Sequence, residues 1–252
     1  MIIRSNCYQL ALTVFRLECP MPLKESERLQ PFRVPDCAGD IPVKIRFAPA
    51  AEIGAPIGYT CMENQDGSVA LWVDAGKYPA LSDWQVFTML PLAGLLLRNH
   101  TLALHASMIL FQGKAILFSG PSRIGKSTQA ALWESCRGAE IINGDRALVY
   151  FREDGAWAGG YYKSGTSGIC KNKTAPIGAI VLLDQGLENM VTIPRRLHAF
   201  HRLLSQCAYD PENRRELELV TQSLARLLTD TKVLHLTCRK DQSAVTELEN
   251  YL

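Results

Sequence analysis

The stretch Phe118–Thr128, FSGPSRIGKST, constrains this chain more than any other. Gly120 is followed, after four residues, by Gly125, Lys126 and Ser127. That is the spacing of a phosphate-binding loop, in which backbone N–H groups, a lysine and a hydroxyl cradle nucleotide phosphates and Mg²⁺. The chemistry requires the glycines to lie between a strand and the start of a helix, whose unpaired N–H groups and positive dipole end then face the anion. The flanks meet that requirement. Lys114–Ser119 (KAILFS) is a short apolar run suited to a buried strand. STQAALWESCRG carries Ala130, Ala131, Leu132 and Trp133 among good helix formers, with Gly138 placed as a stop. The expected nucleotide-binding set is Gly120, Pro121, Ser122, Arg123, Ile124, Gly125, Lys126, Ser127 and Thr128. Within it Lys126 reaches the terminal phosphates and Ser127 ligates Mg²⁺. The alternative is a glycine-rich turn with an exposed lysine.

The 252 residues suffice for one large domain or two small ones with a full core. A formal charge of +2 gives no reason to expect nucleic-acid binding by bulk electrostatics. The longest greasy stretch, Met89–Leu97, is too short to span a bilayer. Arg4, Asn6 and Gln9 interrupt the N-terminal stretch, which has no small-residue cleavage site, so no signal peptide is expected. Eight scattered cysteines without a C-x-x-C pair suit neither a disulfide scaffold nor a zinc site. Most are expected to be buried thiols in a reducing cytoplasm, with Cys170, in a polar loop, set apart.

The texture changes near residue 80. Before it, alternating runs such as Ile41–Ala48 and Ser68–Ala75 separated by Pro, Gly, Asn and Asp predict a β-rich domain over 1–80. A connecting helix is expected over 81–99, capped at Ser82/Asp83 and kinked at Pro91. An α/β nucleotide domain follows over 100–252. It opens on a hairpin turning at Gln112-Gly113, and a further tight turn is expected at Asp154-Gly155. The apolar strand Ile177–Asp184 comes next. Two helices are expected near the end, one capped by Thr192, the other by Asp210 with Pro211 in its first turn. A strand over KVLHLTC and a short helix close the chain.

Three segments, HASMILFQGKAILFSGPSRIGKSTQAALWE, GAEIINGDRALV and KSGTSGICKNKTAPIGAIVLLDQ, occur in that order. Together they resemble the catalytic domain of HPr kinase/phosphorylase, and most of all that family's diverged bacterial relatives, themselves akin to ATP-dependent phosphoenolpyruvate carboxykinases. The resemblance covers about residues 99–252. It implies an α/β fold with a P-loop-containing HPr kinase/PEP carboxykinase-like nucleotide domain, preceded by the small β-rich domain. It also implies that His105 lies near the reacting phosphate, and that Asp145 matches the second of two adjacent aspartates used as base and metal partner. The first of that pair is Gly144 here, or Asn143 if the alignment slips by one. Arg123 stands where many relatives have glycine. Tyr162-Lys163 replaces the relatives' Pro-Trp, while Ser164-Gly165 is kept. With these departures, the carrier protein HPr is not carried over as substrate.

Each candidate has a plainer alternative. Asp145 is placed at a strand end beside the loop, where a metal-coordinating carboxylate must lie, but aspartate in NGDR also caps a turn. Arg146 pairs with Asp145 or with phosphate. His105 lies on the strand adjoining the loop strand; His100, His198, His201 and His235 lack such placement. The loop Tyr161–Lys173, with Lys163, Lys171 and Lys173, is either a solvated surface loop or a lid over the site. Trp133 is expected in the core. The expected catalytic set is therefore Asp145, His105 and Lys126, the metal set Ser127 and Asp145, and the cofactors ATP and Mg²⁺. The expected reaction is phosphoryl transfer from ATP to a hydroxyl acceptor, either a serine of a protein or peptide or a small molecule. No nucleic acid or membrane partner is expected, and a homo-oligomer is compatible with the sequence. Two other classes are weighed. One is an ATP-binding regulatory module without transfer. The other is a phosphoenolpyruvate carboxykinase, for which the arginines and the His/Lys/Asp metal cluster are missing.

Overall fold

The structure, a computed structural model, describes residues 4–252; the first three residues of the N-terminal stretch read above lie outside the described residues. The chain divides into two compact units, one ending at Leu92 and one from Ala93 to Leu252. The fold is α/β.

The first unit is built on β1 (Arg4–Leu10), β2 (Thr13–Cys19), β3 (Arg33–Val34), β4 (Ile41–Ala48), the short helix α1 (Ala50–Ile53), β5 (Tyr59–Glu63) and β6 (Val69–Asp74). They form one mixed sheet in the order β3-β1-β2-β4-β6-β5. Alternation chooses its buried face: Phe15 and Leu17 of β2, Val43 and Ile45 of β4, and Val69, Leu71 and Val73 of β6 point to one side. Helix α2 (Asp83–Met89) covers that side, with Phe87 edge-on to Tyr8 at 5.4 Å and to Phe15 at 5.6 Å. A reciprocal capping box between Ser82 and Gln85 starts the helix. The connecting helix expected over 81–99 is two helices. The residue before a proline is driven out of the α region, and Leu90 is extended, so α2 stops there. Helix α3 (Leu92–Arg98) begins after Pro91.

The second unit contains β7 (Leu102–Phe111), β8 (Lys114–Ser119), α4 (Lys126–Arg137), β9 (Glu140–Asn143), β10 (Arg146–Arg152), β11 (Gly155–Gly160) and β12 (Thr174–Gln185). It ends with β13 (Met190–Thr192), α5 (Arg196–Leu204), α6 (Arg214–Asp230), β14 (Val233–Cys238) and α7 (Ser243–Glu249). The strand order is β11-β10-β7-β8-β12-β14-β13, with β9 also on β7 and β11 also on β12. The hairpin from β7 to β8 turns on Gln112 and Gly113, both at positive φ as a two-residue turn of the right hand requires. Alternate residues of β8 serve two cores. Ala115 and Leu117 join Leu203, Val220, Leu224 and Leu227 of α5 and α6. Ile116 and Phe118 join Ala130 and Trp133 of α4 and Val245 and Leu248 of α7. The sheet is thus sandwiched between two helix pairs, which is why β8 reads as an unbroken apolar run.

Two expected helix starts move. Thr192 is the last residue of β13, and α5 starts after Arg195. Asp210 instead closes a local turn by accepting from the Glu212 N–H, and Asn213 caps α6 by accepting from Arg215 and Glu216. At α6 several short polar residues close in sequence can each cap, and packing chooses among them; at α5 Ile193 and Pro194 follow Thr192, and the helix starts after Arg195 without a side-chain cap. All eight cysteines are free; Cys7, Cys19 and Cys238 are buried, four are partly exposed and Cys37 is exposed, so fewer are buried than expected. Among the described residues, no helix is long and apolar enough to cross a membrane.

Candidate functional site

Strand β7 is the hub of the site. Its Ala106 pairs with Ser119, the residue before Gly120. Its His105 pairs with Arg146, the residue after Asp145. Its Met108 pairs with Asn143, the last residue of β9. One strand therefore brings the start of the glycine loop, the imidazole of His105 and the β9–β10 turn together. Backbone bonds tighten the arrangement: the Ala106 N–H donates to the Asp145 carbonyl at 3.0 Å, and the Ser119 hydroxyl donates to the His105 carbonyl at 3.1 Å.

The loop itself runs from β8 into α4. Gly125 sits at φ 121°, a conformation essentially reserved for glycine, and no side chain caps the helix that follows. Its first-turn N–H groups are left to an outside acceptor. Arg123 is also at positive φ, 65°, where its Cβ is strained. Lys126 is only 6% exposed, and its ammonium donates to the Gly120 and Pro121 carbonyls at 2.8 and 2.9 Å. Burial pushes its pKa below the usual lysine value, and the Asp145 carboxylate partly offsets this. Ser127 donates to the Gly144 carbonyl at 3.3 Å.

Asp145 is held by its neighbours rather than by its own carboxylate. Buried Asn143 accepts from the N–H groups of Asp145 and Arg146 at 2.8 and 2.9 Å and donates to the Tyr161 and Lys163 carbonyls. Asn143 thus ties the turn to the polar loop. The Asp145 carboxylate meets His105 Nε2 at 3.5 Å and Arg146 Nε at 3.6 Å. His105 Nδ1 lies 3.1 Å from the Gln206 side-chain oxygen. Burial, then the Lys126 charge, push the imidazole pKa down, against opposite pulls from Asp145 and Gln206.

The polar loop is pinned at both ends. Lys171 and Lys173 both pair with Glu140, and the Lys171 N–H donates to the Ile142 carbonyl. Cys170, set apart above, bridges to Asn143. Between these anchors Gly165 lies so close to Asp145 that a Cβ there would come within 3.0 Å of the Asp145 Cβ. Lys163 is drawn below the usual lysine pKa by burial and by Arg146. The position of the absent first acid is sterically closed: a Cβ on Gly144 would lie 2.6 Å from the Ser167 Cβ and closer still to its hydroxyl.

Together these groups line a cavity of about 480 Å³, walled by His105, Ser122, Arg123, Gly125, Lys126, Ser127, Thr128, Gly144, Asp145, Thr166 and Lys240. Of the expected site residues, Gly120, Pro121 and Ile124 form the loop's backbone without facing the cavity. Trp133 is fully buried, edge-on to Phe111 at 5.0 Å, and belongs to the core. Thr166, Lys240 and Gln206 were not foreseen. Thr166 lies in the polar loop weighed above as a lid but was not singled out within it, Lys240 lies in a segment without a motif, and Gln206 reaches His105 across 101 positions. The donor set suits a polyphosphate: a buried ammonium with one donor left over, uncapped helix N–H groups, and the cations Arg123 and Lys240. No group of three His, Cys, Asp or Glu among the described residues could hold a metal alone. A metal here must complete its shell with phosphate oxygens and water, the habit of Mg²⁺.

No family model matches the chain, and no curated protein is similar to it in sequence. Among solved structures, it is similar to one described as the Hpr(Ser) kinase/phosphatase from Coxiella burnetii. The two are 12% identical, the match covers 59% of this chain and 95% of that one, and the TM-score is 0.32. A likeness at that level leaves the chemistry to the cavity's own residues.

Proposed function

We propose that the second unit binds Mg-ATP in the Gly120–Thr128 loop and transfers a phosphoryl group to a hydroxyl, in the manner of a serine kinase. The observation that carries this reading is the convergence of Lys126, the uncapped start of α4, Ser127, Asp145 and His105 on one cavity. When bound, Mg-ATP supplies the transferable group and the metal that neutralises its charge. Such transfer asks the protein for positioning and charge neutralisation more than for covalent chemistry. The α4 N–H groups and Lys126 hold the phosphates, with Arg123 and Lys240 adding positive charge. Ser127 and Asp145 are the groups that would hold the metal, once Ser127 turns from the Gly144 carbonyl. The polar loop, held to Asn143 and Glu140, borders the Asp145 side, where Thr166 lines the cavity. The acceptor is a serine of a protein or peptide or a small alcohol, and the free thiols suit a reducing cytoplasm.

One observation favours a second reading, an ATP-binding regulatory or accessory protein without transfer. Ser167 occupies the space that a side chain on Gly144 would need. A single experiment separates the two. Calorimetry with Mg-ATP tests binding, with Lys126→Ala as the control. Radiolabelled ATP added to the wild-type protein with a cell extract then tests transfer. Heat without a labelled hydroxyl product selects the second reading. No heat, or heat unaltered in Lys126→Ala, refutes both.

A further inference from the structure

In the first unit, the connection from β3 to β4 folds back over β1 and brings two thiols together. Tyr8 of β1 points to the side that α2 covers, so by alternation Cys7 points to the opposite face of the sheet. Cys7 is still only 1% exposed there. Its cover is the stretch 35–39, which is anchored to the sheet at both ends. At one end the Ser5 hydroxyl donates to Asp36 Oδ1 at 2.9 Å. At the other, the Asp40 N–H donates to the Val14 carbonyl at 2.8 Å, and the Asp40 carboxylate accepts from the Val14 N–H at 2.7 Å. Gly39 presses on Arg16, the cross-strand partner of Cys7, so closely that a Cβ on it would lie 2.9 Å from the Arg16 Cβ. Between the anchors sits Cys37, which is exposed. The Cys7 thiol points straight at it, donating to the Cys37 carbonyl at 3.6 Å and to Asp36 Oδ1 at 3.7 Å, weak bonds of the length a sulfur makes. Burial pushes the Cys7 thiol up; the Cys37 carbonyl pulls it down, and contact with the Cys37 thiol raises it again. One sulfur therefore meets solvent, and the other is held directly beneath it.

We propose that Cys37 and Cys7 form an oxidative modification site, in which Cys37 is the sulfur that a hydroperoxide attacks and Cys7 the sulfur that resolves it as a disulfide. In the first step the Cys37 sulfur bonds to one oxygen of hydrogen peroxide and the O–O bond breaks. Cys37 becomes a sulfenic acid, and the other oxygen leaves as water with the thiol proton. In the second step the Cys7 sulfur bonds to the Cys37 sulfur and the S–O bond breaks. The proton of Cys7 passes to the Asp36 carboxylate, which already accepts from it, and on to the departing hydroxide. The two thiols have then lost two electrons and two protons, and the peroxide has become two waters. Bridging asks for movement only of the exposed stretch, because Cys7 is fixed in β1. A sulfenic acid without a partner goes on to the sulfinic acid, which ordinary thiols do not reverse. The disulfide stops at a state that a thiol reductant undoes. This chemistry is independent of the nucleotide reading of the second unit.

The test maps the oxidised sulfur. The full chain, reduced and kept with a chelator, is treated with hydrogen peroxide, alkylated and digested. Mass spectrometry is expected to find the peptides bearing Cys7 and Cys37 joined within one copy, two hydrogens lighter than the two free thiols. Dithiothreitol is expected to restore both. Dimedone, which traps sulfenic acids, is expected to label Cys37 strongly in Cys7→Ser and little in the wild type. In Cys37→Ser, a change at an exposed position, neither the link nor a label on Cys7 is expected. The bridge closes a loop across 30 positions, so the joined form is expected to melt several degrees above the reduced one. Four results overturn the proposal: wild-type Cys37 left as a thiol, Cys37 halted at the sulfenic or sulfinic acid, Cys37 joined to another cysteine or to a second copy, or a bridge that lowers the melting temperature. Should Cys7→Ser fail to fold, the wild-type map and Cys37→Ser decide by themselves.

Discussion

The closed position at Gly144 makes a quantitative prediction. In Gly144→Asp the new Cβ must lie 2.6 Å from the Ser167 Cβ, well inside van der Waals contact. Ser167 has little room to yield, because its hydroxyl donates to the Ser164 carbonyl at 2.7 Å and accepts from the Ile169 N–H at 3.3 Å. Forcing extra atoms into such a site costs about 1–3 kcal/mol. At a chain length of this order, that lowers the melting temperature by roughly 2–12 °C. Ser167→Gly removes the obstruction and loses the serine's hydrogen bonds, a cost of about 1 kcal/mol. If the clash is the cause, the double variant Gly144→Asp/Ser167→Gly melts close to Ser167→Gly alone. The coupling energy between the sites is then about 1–3 kcal/mol in the favourable direction. Urea unfolding of the four proteins measures it. Additive losses would refute the steric account and place the cost in charge repulsion with Asp145. The same double variant, assayed for label transfer, tests whether a second carboxylate at the turn is what transfer lacks.

Other outcomes follow from the same geometry. Lys126→Ala lowers Mg-ATP affinity about 10–100-fold by calorimetry while moving the melting temperature by less than about 4 °C, because it removes a buried charge but leaves the Gly120 and Pro121 carbonyls without that donor. Arg123→Gly relieves a positive φ, with a gain of at most about 1 kcal/mol after the added freedom of the unfolded chain, and weakens Mg-ATP binding most at low salt. Asp184 accepts from Arg202 at 2.9 and 3.0 Å and from His235 at 2.7 Å, which hold its carboxyl below the usual range. A depressed folded pKa gives stability that is present above the unfolded value and lost as pH falls through the folded one. Wild type and Asp184→Asn should therefore differ in melting temperature at pH 7, by about 1 kcal/mol for so exposed a network, and converge in acid below about pH 4. Alkylation with iodoacetamide should modify exposed Cys37 first and spare Cys207, whose thiol burial pushes up to about 12.

What the sequence made legible was local. The glycine loop, its strand and its helix form one contiguous segment whose residue types are dictated by φ and by burial, so their positions follow from spacing. The Gln112-Gly113 hairpin is legible for the same reason, and it carries β7 back beside the loop. From there the register follows: once Ala106 pairs with Ser119, His105 must lie next to the loop, whereas its pairing with Arg146 is set separately by β10 along β7. Asn143 was visible as part of NGDR but not as the residue that binds both the turn and the polar loop, because two of its partners lie 18 and 20 residues on. Lys240 and Gln206 left no signal at all. A polar residue in a loop acquires a role only when topology delivers it to a site, and no periodicity records that delivery.

The charge around the cavity bears on which of the two proposed functions the turn supports. The walls carry three cations, Arg123, Lys126 and Lys240, one carboxylate, Asp145, and the imidazole of His105. A second carboxylate at residue 144 would cancel another of those positive charges in a partly desolvated space, where each is worth more than in water. Glycine there leaves the site better suited to holding a polyanion and poorer in groups that take a proton. Transfer then depends on whether the acceptor's hydroxyl finds its partner in Asp145 or His105 instead. Label transfer that survives in Lys240→Ala but disappears in His105→Asn, with Mg-ATP still bound, is the result expected if it does. Transfer indifferent to His105 would leave Asp145 alone to receive the hydroxyl.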